Sequence, residues 1–544
     1  MKKKIYLCVC MVLLNHVFKD ASSLFVGEAV TVELPQGKIK GSYDWSRTQR
    51  IFSGIPYASV TERFEEPGNP PSWHGTFNAD RGNIKCNQYI SSLKQPVGQE
   101  DCLVLNIFTP PTLEPEPFPV MVFIPGGGFY SGSNSELIYN PKFVVQRKVI
   151  VVTINYRVGA FGFLCLGLKE ASGNMGLKDQ LAALKWIQKN IAYFGGNPDS
   201  ITLFGESAGA VSVHYLNLNP SARGLFHRAI MQSGSIMMPQ DFSYQPLQQA
   251  SKVAKRLGYN TSDPSELLKI FKNSTANDIV RASFVDQNNN ALGPYLFGPC
   301  VETAVPNGRP FITQQPGVLL KTTDLSVPVI IGFNNKEGIH WASNYAPLTD
   351  PNKIRSYLIP VIPSYLEFGN PSDQSTFVDD IIKKYFANNT DINGLIEYFT
   401  DALVAFPITL TSEHSSQKSD ATVFNYYFKY DSIRNLNKFL TRLSSEPGAS
   451  HGDDLLYMFQ PAVFAVLPST RTVAKMIATI TKLWTSFAKT GKPTISNTNW
   501  RPSKERLNFL EIDNREIKMI SLPNQDRMDF WKKAYEKFGR SEGK

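Results

Sequence analysis

Residues 205–209, Gly205-Glu206-Ser207-Ala208-Gly209, set a serine in a G-x-S-x-G pattern. The apolar stretch Ile201 to Phe204 precedes it, and AVSVHYLNL, which reads as helix, follows. Strand, sharp turn and helix in that order push a serine Oγ out above a sheet, and small flanking residues let neighbouring segments approach. A serine hydroxyl is a poor nucleophile by itself, so Ser207 requires a histidine base and a carboxylate to orient that base. On a sheet of this kind the chain order is serine, acid, histidine. Five histidines follow Ser207. His214 stands two turns along the same helix and points away from the elbow, and His227 opens a strand. His340 leaves little room for an acid before it, and His414 lies in a polar, exposed segment. His451 sits in Pro447-Gly448-Ala449-Ser450-His451-Gly452, a glycine-rich loop suited to presenting an imidazole. By elimination it is the candidate base. Glu337, in the turn Asn334-Asn335-Lys336-Glu337-Gly338 after an apolar run, is the candidate acid, with a solvated turn glutamate as the alternative.

A tetrahedral intermediate needs donors for its oxyanion. Val120 to Ile124 leads into Pro125-Gly126-Gly127-Gly128-Phe129, whose glycines free backbone N–H groups to point inward. Ala208, the residue after the serine, supplies another N–H. The glycine loop matches neither the G-x-G-x-x-G nor the P-loop spacing, and no H-E-x-x-H or other metal-ligand cluster occurs. The expected chemistry therefore uses no metal and no cofactor.

Bringing these residues together requires a sheet. Val120 to Ile124, Val149 to Ile154, Ile201 to Phe204, Ala229 to Gln232 and Val327 to Ile331 read as strands buried on both faces. Leu177, Leu181, Leu184, Ile187, Ile191 and Phe194 recur at three- and four-residue steps and predict one helix, ended at Gly195-Gly196. Strand–helix alternation of this kind implies a mainly parallel sheet covered by helices. After residue 245 the pattern is mostly helical, with a strand at Val423 to Phe428 and helices near 472–488 and 525–538. No linker or repeat divides the chain, so 24–544 reads as one catalytic domain.

The 544 residues are 42% hydrophobic and 19% charged, ordinary for a globular protein. Of the net charge of +9, a net +3 comes from Lys2, Lys3, Lys4 and Lys19 against Asp20. The remaining cations are scattered, which argues against nucleic-acid binding. Residues 1–23 have the layout of a secretory signal peptide: a basic start, an apolar middle, then Ala21-Ser22-Ser23. No later stretch reads as a membrane anchor, so the expectation is a secreted, extracellular protein. Four cysteines remain after the leader. Cys86 and Cys102 flank a polar segment and make the expected pair, whereas Cys165, in an apolar run, reads as a buried free thiol. Asn260, Asn273 and Asn388 head N-x-S/T sequons and are expected to carry glycans.

Taken together, these residues resemble the type-B carboxylesterase/cholinesterase family of α/β-hydrolases. The resemblance runs through FSGIPYA (52–58), EDCLVLNIF (100–108), GGGFYSG (126–132), NYRVGAFGFL (155–164) and GNMGLKDQLAALKWIQKNI (173–191). It continues through the GESAG elbow, NNKEG and SHGDD. It implies an α/β-hydrolase fold, a large central, mostly parallel sheet flanked by helices. It further implies a triad of Ser207, Glu337 and His451, and an oxyanion hole of the Gly127, Gly128 and Ala208 amides. By the same resemblance Cys86–Cys102 is the first family disulfide, and Arg63–Glu100 and Arg157–Asp179 are buried structural ion pairs. By the same resemblance Met237, Met238, Tyr295 and Phe297 would line the acyl side, with ordinary core packing as the alternative. Three departures narrow the reading. Pro125 stands where the family usually has histidine or tyrosine. Segment 87–101 has no tryptophan, which removes the aromatic platform for a quaternary ammonium and argues against a cholinesterase. Glu206 stands where juvenile hormone esterases typically show glutamine, while SHGDDLLYMF is similar to insect carboxylesterases. The resemblance implies a serine carboxylesterase acting on small-molecule esters; the alternatives are a specialised hormone or odorant esterase and a low-turnover or non-catalytic ligand-binding member. The natural ester and the oligomeric state are not legible in the chain.

Overall fold

The structure is a computed structural model that describes residues 27–284, 297–304, 308–344, 351–387, 392–465, 469–495 and 498–540. Residues 1–23, the expected leader, lie outside that range. Fifteen strands occur among the described residues, thirteen of them in one sheet. Its first members are β1 (Ala29–Leu34), β2 (Gly37–Tyr43), β3 (Arg50–Pro56) and β4 (Thr76–Asn78). The short strands β5 (Gln88–Ile90) and β6 (Gln95–Val97) form a separate hairpin. The main sheet continues with β7 (Val104–Thr109), β8 (Phe118–Ile124), β9 (Ile150–Ile154), β10 (Gly196–Glu206) and β11 (Arg228–Gln232). β12 (Val329–Asn334), β13 (Val423–Phe428), β14 (Phe509–Ile512) and β15 (Ile517–Ile520) complete it. The order is β1-β2-β3-β7-β9-β8-β10-β11-β12-β13-β14-β15, with β4 beside β2. Every pairing from β9 to β14 is parallel; β1-β2-β3-β7-β9 and β14-β15 are antiparallel.

Side-chain alternation explains why the central strands read as unbroken apolar runs. In β8, Val120, Val122 and Ile124 enter one core, while Met121 and Phe123 enter the core on the other face. The Met175–Asn190 helix covers the first face with Leu177, Leu184 and Ile187, and the Arg471–Thr490 helix covers the second with Ile480, Leu483 and Trp484. Each such side chain, fully buried, contributes roughly 1.5–3 kcal/mol. The expected helix ends as α-helix at Asn190 and tightens to a 3₁₀ turn over Ile191–Phe194 before Gly195, whose φ is +86°. The sequence pattern predicts the fifth strand at 327–331, but it begins at Val329 and extends to Asn334. β14 and β15 are four residues each and partly solvent-facing, too short for periodicity to mark.

β8 decides where the site lies. The chain leaves β8 for β9 on one side and returns as β10 on the other, so the carboxyl ends of β8 and β10 open side by side at a topological switch point. The glycine loop follows β8 and the serine elbow follows β10.

Two expectations change. Cys165 is not a free thiol: it is disulfide-bonded to Cys300, 135 residues later, a partner that the local apolar run could not reveal. Cys86 and Cys102 are bonded to each other. The Arg157–Asp179 pair is buried, with guanidinium contacts of 2.8 and 2.7 Å and the Arg157 amide donating to the same carboxylate. Arg63–Glu100 is instead partly exposed, because Arg63 reaches past Glu100 to the Ser274 carbonyl (2.7 Å) at a surface helix end.

Candidate active site

The elbow is built by close approach. Ser207 has φ +56° and ψ −129°, a sparsely populated region for a residue with a side chain, and costs roughly 1–3 kcal/mol that its surroundings must offset. Its amide donates to the Gln232 carbonyl at the end of β11 (2.9 Å), and its carbonyl accepts from Val211 in the following Ala208–Leu218 helix (2.9 Å). A Cβ on Gly205 would fall 2.5 Å from the Gly209 carbonyl carbon and 2.9 Å from the Ile124 oxygen. One on Gly209 would press on the Ile124 carbonyl itself. The two flanking glycines thus let the turn close onto the end of β8. The Ser207 side chain remains half-buried rather than sealed.

Beyond β8 the glycine loop curls beside the elbow. A Cβ on Gly126 would sit 3.1 Å from Ser207 Cβ. Gly127 (φ +122°) and Gly128 (φ +59°) turn the chain sharply, and the Gly127 carbonyl accepts from the amides of Tyr130 and Ser131. Pro125 is held by the Tyr156 hydroxyl, which donates to its carbonyl (2.9 Å). The amides of Gly127, Gly128 and Ala208 donate to no protein acceptor among the described residues, which leaves three donors grouped around the Ser207 elbow.

The histidine loop and the acid turn converge on the same point. His451 Nδ1 lies 2.7 Å from Glu337 Oε2. Glu337 is fully buried, and its other oxygen accepts from the Ser233 hydroxyl (2.6 Å) and the Asn334 amide (2.7 Å). His451 Nε2 lies 3.2 Å from Glu206 Oε1, the side chain directly before Ser207, and makes no hydrogen bond within the described protein. Around the loop, Asn437 donates to the His451 carbonyl (3.0 Å), Asn334 to that of Ser450 (2.8 Å), and Asp453 accepts from the Ser450 amide (2.8 Å). Below it Asp454, buried, gathers Gln232, Tyr426 and Asn334 at 2.8, 2.7 and 3.2 Å.

Electrostatically the site holds one imidazole between two carboxyls. Burial works against the His451 imidazolium, but Glu206, Glu337 and Asp241 outweigh it and raise its pKa to about 9. Burial pushes Glu206 up to about 7, with His451 opposing and the neighbouring Asp454 and Glu337 adding to the rise.

Of the remaining histidines, His214 and His227 take structural places as expected, whereas His414 is less exposed than its polar segment predicts. His214 is buried and neutral, accepting from the Ile236 amide; His227 precedes β11 and accepts from the Ile201 amide (3.2 Å). His414 lies half-buried in the Phe406–Lys418 helix. His340 is the surprise: it is solvent-exposed, yet its ring lies 5.6 Å from that of His451. Trp341 packs edge-on against it, 4.9 Å from the His451 ring. Glu206, His340, Trp341, Ser233 and Asp454 had no assigned role from spacing; only the position of Glu206 inside the elbow, and of His340 and Trp341 just past Glu337, marked them. Met237, Met238 and Phe297 are buried, and Tyr295 lies outside the described residues. Asn260 and Asn273 are exposed, and Asn388 lies outside the described residues. Among the described residues no group of three or more His, Cys, Asp or Glu is placed to hold a metal, and no helix is long and apolar enough to cross a membrane.

Comparison with known proteins places the chain in a family. Venom carboxylesterase-6 of Apis mellifera is 32% identical over 526 residues, 91% of this chain and 92% of that protein. Bile salt-activated lipase of Mus musculus is 33% identical over 522 residues, 89% of this chain and 83% of its own. Among solved structures, juvenile hormone esterase from Manduca sexta, with OTFP covalently attached, superposes with a TM-score of 0.83 at 27% identity, covering 94% of this chain and all of that one. Residues 28–531 match the model of the carboxylesterase family, and the chain belongs to that family of carboxylic-ester hydrolases.

Proposed function

We propose that this chain is a secreted serine carboxylesterase that hydrolyses carboxylic esters through an acyl-enzyme on Ser207, with residues 24–544 acting as one catalytic unit after removal of the leader. The observation that carries the reading is the placement of His451: one ring nitrogen on the buried Glu337, the other 3.2 Å from Glu206, the residue directly before Ser207 in the elbow. In the first step His451 takes the Ser207 proton as Oγ bonds to the ester carbonyl carbon, and the amides of Gly127, Gly128 and Ala208 stabilise the oxyanion. Collapse of the intermediate breaks the ester C–O bond, and His451 returns the proton to the leaving alcohol. Water, deprotonated by His451, then attacks the acyl-enzyme; Ser207 Oγ leaves with that proton, and the carboxylic acid is released. Glu337 holds the Nδ1–H tautomer and stabilises the imidazolium.

A panel of naphthyl, nitrophenyl and long-chain esters tests this. Wild type turns over at least one ester, while Ser207→Ala and His451→Ala each lose about 10³-fold or more in kcat. Equal rates for wild type and Ser207→Ala would remove Ser207 from the mechanism. Secretion is tested separately: the protein recovered from the medium of expressing cells begins after residue 23. The likeness to a juvenile hormone esterase supports a second reading, a hormone-specific esterase. A kcat/KM for that hormone far above those for short aromatic esters would establish it, and Glu206 in place of glutamine argues for the broader enzyme.

A further inference from the structure

The turn that carries Glu337 is held from behind by a helix outside the site described above. Ile392–Phe399 and Phe406–Lys418 are α-helical, and between them Thr400–Ala405 forms a π-helical stretch. Pro407 explains the widening: its ring would collide with the Leu403 carbonyl one α-turn back, and it has no N–H to offer that carbonyl. Such stretches are uncommon and recur at functional sites. Here the widened turn sets Thr400, 1% exposed, against the residue after Glu337. The Thr400 hydroxyl accepts from the Gly338 amide (2.9 Å) and donates to the Ile396 carbonyl (2.7 Å). The fit is close: a Cβ on Gly338 would lie 2.9 Å from the Thr400 nitrogen and against the Ile396 carbonyl. On the other side of Glu337, Lys336 pairs with Glu397 of the same helix.

This brace is itself anchored. Arg527, on the Gln525–Phe538 helix, pairs with Glu397 and with Asp401 of the π-helical stretch, at 2.6 Å each. Asp401 also accepts from the Tyr385 hydroxyl (2.8 Å), which accepts from Trp531 Nε1 (2.7 Å). The residues before and after Glu337 are therefore both tied to one rigid element. Ser233 and Asn334 fix one oxygen of the Glu337 carboxylate; the Thr400 contact fixes the backbone from which that side chain springs.

Resting on the reading of Glu337 as the triad acid, we propose that Thr400 is a positioning residue for ester hydrolysis, its hydroxyl pinning Gly338 so that the Glu337 carboxylate stays on His451. Thr400→Val keeps the side-chain volume but leaves the Gly338 amide without its acceptor, and Thr400→Ser restores the hydroxyl. Thr409→Val is the control: that threonine, one turn into the following helix, is also buried and bonds to the carbonyl four residues back (Ala405, 2.8 Å) but makes no hydrogen bond to the acid turn. Thr400→Val is expected to lower kcat about 10- to 100-fold with KM within about twofold. It should also move the acidic limb of the kcat/KM–pH profile to lower pH, as His451 loses part of its hold on the proton. Thr400→Ser returns both to near wild type, and Thr409→Val lowers the melting temperature comparably without moving either. Thr400→Ala, with the same expected kinetics, replaces the valine variant if that one does not fold. Wild-type kcat and pH limb in the Thr400 variants, or equal changes in Thr409→Val, would overturn the proposal. Glu337→Gln separates the two readings. If it is slow while the Thr400 variants are normal, only the positioning role fails; if it is as fast as wild type, the assignment of the acid fails first.

Discussion

His451 shows how much a single residue depends on its neighbours' charge. As a general base it must be neutral, yet two carboxyls hold its proton up to about 9 against the penalty of burial. Glu337 is needed for orientation, so Glu206 is the group whose charge can be removed without dismantling the pair. The sign follows directly. A nearby anion raises the imidazole pKa, so its loss lowers it and the basic form is reached at lower pH. Glu206→Gln, nearly isosteric, is expected to shift the acidic limb of kcat/KM downward by about one unit or more. Rates measured from pH 5 to 10 on one unactivated ester check this. A limb that stays in place would mean that Glu206 does not set the protonation of His451.

At the scale of elements, the elbow and the glycine loop depend on close backbone approaches that a side chain would disturb. Gly209 faces the Ile124 carbonyl, and Gly127 combines φ +122° with a Cβ position 2.7 Å from the Ser131 carbonyl carbon. Gly209→Ala is expected to prevent folding or to abolish activity, because β8 and the Ala208–Leu218 helix cannot separate without tearing the sheet. Gly127→Ala should fold, since its loop is less enclosed, but lose about 10²–10³-fold in kcat as one oxyanion donor moves. Circular dichroism and ester turnover on both variants distinguish the outcomes; an active Gly209→Ala would refute the packing argument. The same elements show what a sequence can and cannot reveal. G-x-S-x-G, the glycine loop and the central strands were legible because their signals are local: small residues at a turn, β-branched runs, a helical stripe. The base follows by elimination among the histidines and the acid from its turn at the end of an apolar run, not from any pattern that joins residues 207, 337 and 451. Ser233 and Asp454 are invisible in the sequence because their place is set by where strands end, and Cys300 because its partner is 135 residues away. β14 and β15 were missed for want of length.

For the whole molecule, the two disulfides differ mainly in how much chain they close. Cys86–Cys102 spans 16 residues and Cys165–Cys300 spans 135, a length that encloses the serine elbow and five helices of eight or more residues. If cross-links act chiefly on the unfolded chain, the short one contributes about 3 kcal/mol and the long one about 5. All four cysteines are buried, so the packing lost on replacing either pair by alanines is similar and the difference survives. The native contacts around the long bridge should also persist without it. Asn174 exchanges hydrogen bonds with the Cys300 backbone (2.9 and 3.0 Å) and donates to Glu302 (2.8 Å), which pairs with Lys178 at 2.9 Å. The Cys165→Ala/Cys300→Ala variant is therefore expected to keep near wild-type turnover at 25 °C while losing about 2 kcal/mol more than Cys86→Ala/Cys102→Ala in urea titrations. Equal losses would mean that the bridges act through native-state strain or packing, and lost turnover at 25 °C would mean that the long bridge, not the Asn174 network, holds the 297–304 segment in place.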